Sequence, residues 1–466
     1  MPLRALLLIA ASCLAYQLLL PPVAGVADNG DFQRLVEPFG IDHVSQDYKT
    51  RFFDYVDLEY RFVKAPEYWR AAKSLRSSEM IPIAIAVALN NWLSKTGEFD
   101  LRLMGILHAG LFLLLLRWMW PLLPQTPRWR SWLIGLAALG IFLDAEYACY
   151  FNSFYAEPMV LLTLLGLCGA CLHAIAAARL TRWNSVLLVC FAALFVTAKA
   201  QTTAAAVFVA PLVALMAIWF HRGARVRLFA GGAAAFLLLL AGLTLWVYPV
   251  QTKHAHLYFT IFIGILGDSQ DKRADLASLG LDPGLVSYSG VDPWSSEFQW
   301  EGGPLDDALF NRIDFRAVTW FYFTHPARFL GCLNIGAPAF YHLADRADLG
   351  QLQRWPRFPP RQPNRAFRLW SRVGFAVGEH PWAGIGAIAA VVLATFLCTP
   401  GWQLRSIQIF LAILAVTQFL TAVIGEGASG IAKHLYVCDL AVDLLLLWSL
   451  VHFTGSISRW IDGRHS

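Results

Sequence analysis

The chain has 466 residues and a formal net charge of +5; 57% of the residues are hydrophobic and only 15% are charged. That charged fraction is well below the roughly one quarter usual for a soluble domain, and apolar runs of about 20 residues, long enough to cross a bilayer as a helix, recur. A soluble globule is therefore excluded. So is a membrane β-barrel, because the runs do not alternate and many are about twice a barrel strand's length.

The basic residues fall in short loops, where they orient spans rather than bind nucleic acid. Eight cysteines are present. Most sit in apolar runs as small hydrophobes, including the Cys168–Cys171 CxxC, which has no histidine or second cysteine pair nearby.

In chain order, residues 3–20 read as a first span. A secretory signal is the competing reading, but the run ends in Pro21-Pro22 without a convincing small-residue cleavage site. Residues 23–78 are polar and aromatic and form the first external loop. Residues 80–93 are apolar but short, so they either cross the membrane or lie along its outer surface. The downstream charges favour the surface, because Arg117, Arg128 and Arg130 then fall inside.

Spans follow at 101–116, 132–143, 159–178, 185–198, 202–220 and 228–247. Arg179 and Arg182, then His221, Arg222, Arg225 and Arg227, mark the inner side. Residues 248–317 form an external lobe with turn signals in SLGLDPG and YSGVDPW. Residues 329–341 are apolar but broken by Asn334, Gly336 and Pro338, as a bent span or a surface helix. The stretch 346–372 looks cytoplasmic by its arginines, yet a surface-lying 329–341 leaves it outside. Runs at 382–397, 407–424 and 434–451 finish the chain.

The expectation is an all-α polytopic membrane protein with about ten transmembrane helices, or eleven. It divides into an amino-terminal module at 1–248 with its first external loop at 23–100, a lobe at 249–372 and a final helical part at 373–466. The basic tail, with Arg459 and Arg464, favours ten spans and a cytoplasmic carboxy terminus.

Acids gather where apolar helices meet the external face. Asp28 and Asp31 follow the first span in Asp28-Asn29-Gly30-Asp31. Glu157 stands at the end of the loop containing Tyr155, just before Pro158, which suits a first helical turn. Glu426, Lys433, His434 and Asp439 flank the start of the last span, and Lys199 and Gln201 lie between two others. Ionisable groups at a bundle edge usually mark a site. Each also has an ordinary role: Asp28 and Asp31 as turn-formers, Glu157 as a helix amino-terminal acid, Lys199 snorkelling, and Lys433 and His434 as headgroup anchors. For Arg312 and His325 the ordinary role is in the lobe's fold alone. Tyr55, Tyr60, Tyr68 and Trp69 read as an interfacial belt.

The layout resembles the GT-C superfamily of glycosyltransferases. The likeness rests on an acid soon after span one, here Asp31, and on SSEMIPIAIAVALNNWLSKTGEFDLRLMGILHAGLF, similar to that superfamily's external juxtamembrane helix and the span opening Leu101-Arg102-Leu103. NGDF, YFNSFYAEP, YFTIFIGILGDS and GEGASGIAKHLYVCDLAVDLL look like segments of bacterial cell-surface glycan hexose transferases in that group.

The resemblance implies an enzyme of the cytoplasmic membrane whose site faces outward. It implies transfer of a sugar from a polyprenyl phosphate to a glycan or glycolipid. Asp31 matches the general base, Glu157 a second acid and Asp28 a neighbouring candidate. Lys199, Gln201, Lys433, His434, Tyr155, Glu426 and Arg312 are expected around the donor. The Asp28–Asp31 spacing is wider than a metal-binding DxD pair, so a divalent metal is possible but not favoured. Partners are the lipid-linked sugar, the acceptor and membrane lipids, with no nucleic acid, and the protein is expected as a monomer. The competing classes are a lipid-linked-sugar flippase, which would show related halves, and a non-catalytic assembly subunit.

Overall fold

The computed structural model describes residues 2–64, 76–94, 96–124, 127–220, 223–291, 303–341, 349–426 and 430–462, with only the backbone of Glu426 and 458–462. Tyr68, Trp69, His221, Arg222 and the start of the 346–372 stretch lie outside these residues, as do the side chains of Arg459 and Arg464.

The helices that matter are α1 (Pro2–Leu19), α2 (Met80–Leu93), α3 (Arg102–Met119), α4 (Arg128–Phe142), α5 (Glu157–Ala176), α6 (Arg182–Val196) and α7 (Ala206–Phe220). They continue with α8 (Ala224–Trp246), α9 (Pro326–Gly336), α10 (Leu369–Glu379), α11 (Pro381–Cys398), α12 (Trp402–Glu426) and α13 (Tyr436–Asp462). Seven of them (α1, α3, α5, α8, α11, α12 and α13) are long and apolar enough to cross a membrane, and the bent pair formed by α4 and 145–151 raises this to eight. The expected ten is reached only if α6 and α7 also cross. Each has 15 residues, about 22 Å of helix against a hydrocarbon core of about 30 Å.

Helix α5 is the centre of the bundle, with 78% of its apolar window buried. Its neighbours α3 and α6 pack on it, so an apolar surface on every side suits it to a site away from lipid.

Both ends of α2 lie on one side of the bundle. At its start Ser77 and Ser78 bond to the carbonyls of Ala198 and Leu194, just after and at the end of α6. Near its end Asn90 donates to the Glu98 carbonyl and accepts from the Asp100 amide, just before α3 begins. A helix tied back this way does not cross. Helix α9, at 11 residues, is too short to cross the membrane by itself.

The arginine-rich stretch also finds its side. Residues 350–353 exchange backbone hydrogen bonds with Val23, Gly25, Ala27, Phe53 and Val56 of the first loop. Arg361 pairs with Asp54, and Arg354 covers the Tyr55 ring. The charges that suggested a cytoplasmic position instead cover the first loop.

That loop departs from the all-α expectation. It carries a three-stranded antiparallel sheet, β1 (Ile41–His43), β2 (Glu59–Phe62) and β3 (Glu98–Asp100), in the order β1-β2-β3. The sheet is short and its alternation spans only three or four residues, so helical apolar runs on either side masked it. Its inner face buries Ile41, Tyr60 and Phe99.

Asn152 pins the loop to the bundle. Its amide donates to the carbonyls of Leu18, at the end of α1, and Ala24. Gly105 on α3 makes room for it, since a Cβ there would stand 2.0 Å from Asn152 Oδ1. Gly105→Ala is expected to destabilise the protein by about 1–3 kcal/mol, the usual cost of overpacking. A melting temperature in detergent equal to wild type would show that Asn152 yields freely.

Candidate functional site

The first loop turns sharply at Asp28-Asn29-Gly30-Asp31. Asp28 Oδ1 accepts the amides of Gly30 at 2.7 Å and Phe32 at 3.1 Å. Asn29 Oδ1 accepts the Asp31 amide and the Tyr155 hydroxyl. This is the local chemistry that makes Asp and Asn turn-formers. Gly30 has φ 94°, a left-handed value that glycine adopts without strain. Phe32 is then buried against the rings of Phe154 and Tyr155. The two acids thus part company: Asp28 points inward and Asp31 into a cavity.

Asp28 is 3% exposed, and its second oxygen lies 2.9 Å from His43 Nε2, while His43 Nδ1 lies 3.2 Å from Asp57. It does not line the cavity; its hydrogen bonds hold the turn that aims Asp31. Burial alone would lower the His43 pKa; the carboxylates of Asp28 and Asp57 outweigh it and raise the pKa. A raised histidine pKa adds stability below about pH 6.5, which fades as pH rises through the folded-state value. The melting temperature is therefore expected to decline as pH rises above about 6.5. His43→Gln should flatten that decline, and an unchanged slope would remove His43 from the linkage.

The cavity holds about 100 Å³ and lies where five helices or their extensions end. Asp31 follows α1, Glu157 opens α5, Lys199 follows α6, Thr244 ends α8, and Lys433 sits in the short helix Ile431–His434 before α13. Asp31 Oδ2 meets Lys433 Nζ at 2.6 Å, and Oδ1 meets Arg34 Nη1 at 2.9 Å. The Lys433 ammonium also stands 4.0 Å above the Tyr155 ring centroid, a cation–π contact. Burial pushes the Asp31 pKa up, but Lys433, Arg34 and His434 outweigh it and hold the carboxyl well below the usual range. Asp31 is an anion at any working pH.

Glu157 forms the second pair. Its Oε1 lies 2.7 Å from Lys199 Nζ, and the carboxylate is 1% exposed. It stands in the first turn of α5 beside Pro158, where the helix dipole favours an anion. Gln201 donates to the His434 carbonyl, joining the 199–204 segment to the Lys433 helix.

Seven expected residues therefore converge: Asp31, Tyr155, Glu157, Lys199, Gln201, Lys433 and His434 all line the cavity. Arg312 does not. It is exposed on the lobe and donates to the Asp307 carbonyl, away from the residues that line this cavity. The side chain of Glu426 lies outside the described residues. The structure adds Arg34, Arg76, Tyr248 and His256. Arg34 had a signal, since it is three positions from Asp31 on the same helical turn; the others had none.

Deeper in the bundle, Asp443 accepts the hydroxyls of Tyr147 and Tyr341 and the Trp370 indole N–H. Asp144 accepts the amides of Trp370 and Ser371. Together they tie α10 and the end of the lobe to the spans. Among the described residues no group of three or more His, Cys, Asp or Glu side chains is placed to hold a metal ion.

Over residues 2–464 the sequence matches the family described as the YfdI N-terminal transmembrane domain. The chain belongs to this family. No curated protein and no solved structure matches it. Membership establishes a multi-pass membrane protein of the YfdI family and is consistent with the seven or eight apolar helices.

Proposed function

We propose that this YfdI-family protein is a glycosyltransferase that moves a sugar from a polyprenyl phosphate to a glycan or glycolipid acceptor. The observation that carries the reading is the charge balance of the cavity. Four cations (Arg34, Arg76, Lys199 and Lys433) and two carboxylates (Asp31 and Glu157) line it, a net charge of +2 before any histidine is counted. A sugar phosphodiester brings one negative charge, and the departing lipid phosphate carries close to two. The site suits the leaving group better than the substrate, as catalysis requires.

Position supports the lipid part of the reading. The cavity sits at the ends of spans, where a headgroup meets helices that can face its tail. The opposite ends carry Arg117, Arg128, Arg130, Arg179 and Arg182, and the positive-inside rule then turns the cavity outward, to the outer face of the cytoplasmic membrane. In this reading Asp31 takes the acceptor's proton, and Lys433 and Arg34 steady the phosphate.

The test is transfer by the purified full chain in liposomes, offered a panel of polyprenyl-phosphate hexoses and lipid-linked glycan acceptors. Sugar-dependent extension of an acceptor supports the reading. Movement of the donor across the bilayer with no extension of any acceptor would replace it with transport.

A further inference from the structure

The cations suited to the phosphate are the same ones that now occupy the expected base. Asp31 has one oxygen on Lys433 and the other on Arg34, so both ends of the carboxylate are engaged. A doubly paired carboxylate is a poor proton acceptor, because a proton on either oxygen must displace the cation there. Base catalysis works best when the acceptor's pKa approaches the working pH. This pairing is thus well built to hold Asp31 and badly built to use it.

Lys433 is the part able to change partner. Its ammonium sits on a flexible four-carbon stem and carries three rotatable donors. The Tyr155 ring beneath it offers attraction without a directed bond, so a shift over that face keeps the cation–π contact. Glu157 does not need Lys433, because Lys199 already holds it at 2.7 Å. Around Asp31 the charged and titratable groups are Arg34 on its own turn, Lys433 and His434 from the Ile431–His434 helix, and Tyr155 from the loop before α5. Tyr155 stays neutral here, since burial and the charges of Asp28 and Asp31 raise its pKa.

Resting on the glycosyl-transfer reading, we propose that the donor's phosphate exchanges with the Asp31 carboxylate on Lys433, so the base is sheathed in the empty protein and released by the donor itself. The acceptor oxygen then forms its bond to the sugar's anomeric carbon. The bond from that carbon to the phosphate oxygen breaks, and its electron pair stays on the lipid phosphate. The acceptor's proton passes to Asp31, and Lys433 neutralises the new phosphate charge. When polyprenyl phosphate leaves, Asp31 releases its proton to water and Lys433 returns. Binding is ordered by this exchange, donor first, and an acceptor or water reaching the empty site meets no free base.

The experiment compares two pH profiles of the reconstituted full chain, using a polyprenyl-phosphate hexose that it transfers. The profile of kcat/KM for the donor reports the free enzyme, and that of kcat the complex. The exchange requires kcat/KM to stay level down to about pH 4 while kcat falls on an acid limb at least about one unit higher. In Lys433→Gln the free base is already released, so the two limbs should converge.

Coincident limbs in wild type, or an undiminished gap in Lys433→Gln, would overturn the exchange. A readout independent of turnover is the infrared difference spectrum on adding polyprenyl phosphate alone. A carboxylate band should shift in wild type and not in Asp31→Asn. Transfer without that shift defeats the exchange alone, whereas absence of both transfer and polyprenyl phosphate binding defeats the glycosyltransferase reading.

Discussion

Asp31→Asn is expected to lower the transfer rate at saturating donor by about 10²–10⁴-fold, the usual contribution of a general base. The substitution keeps shape and volume, and the turn that carries residue 31 is held by Asp28 and Asn29 rather than by the Asp31 side chain. Folding should survive, and donor binding should hold or strengthen, because Lys433 and Arg34 lose a competing carboxylate. Asp28→Asn has a different expectation. Its acceptor oxygen can still take the Gly30 and Phe32 amides, but the charge facing His43 is gone. It should cost stability more than turnover. Rate measurements on both purified variants separate the roles. Near-normal turnover in Asp31→Asn would move the search for a base to Glu157, whose carboxylate shares the cavity.

The second large effect is expected at Lys433. Lys433→Ala removes one charge-assisted hydrogen bond to the donor phosphate, a class worth about 1.5–3 kcal/mol, or roughly 10–150-fold in affinity. Asp31 keeps Arg34 at 2.9 Å, so the variant is not left with an unpaired acid. Lys433→Arg retains the charge but presents a rigid planar fork, and it should restore much of the donor binding with less of the turnover. Titration of each variant with polyprenyl phosphate, read by tryptophan fluorescence, gives the affinities. Wild-type affinity in Lys433→Ala would take this residue out of the phosphate site.

The membrane character of this protein and the outline of its spans were legible in the sequence, because apolar length is a local property that a bilayer reads directly. Asp31, Glu157, Lys199 and Lys433 were also visible, as charges placed beside long apolar runs, where a charge costs enough to need a reason. What no local pattern could contain is pairing. Asp31 and Lys433 are 402 positions apart, and Glu157 and Lys199 are 42 apart. Only the packing of span ends around one cavity makes them partners.

The same holds where expectation and structure part. Asp28 and Asp31 look alike in the chain, and a single turn sends one inward to His43 and the other to the cavity. Arg312 carries the charge of a phosphate ligand but is exposed on the lobe, bonded to the Asp307 carbonyl. The basic stretch near 354–361 looked cytoplasmic until its backbone was found against the first loop. Apolar length is set residue by residue along the chain. Which charges face each other is set by closure of the bundle, because an ion pair forms only where distant segments are brought within a few ångströms.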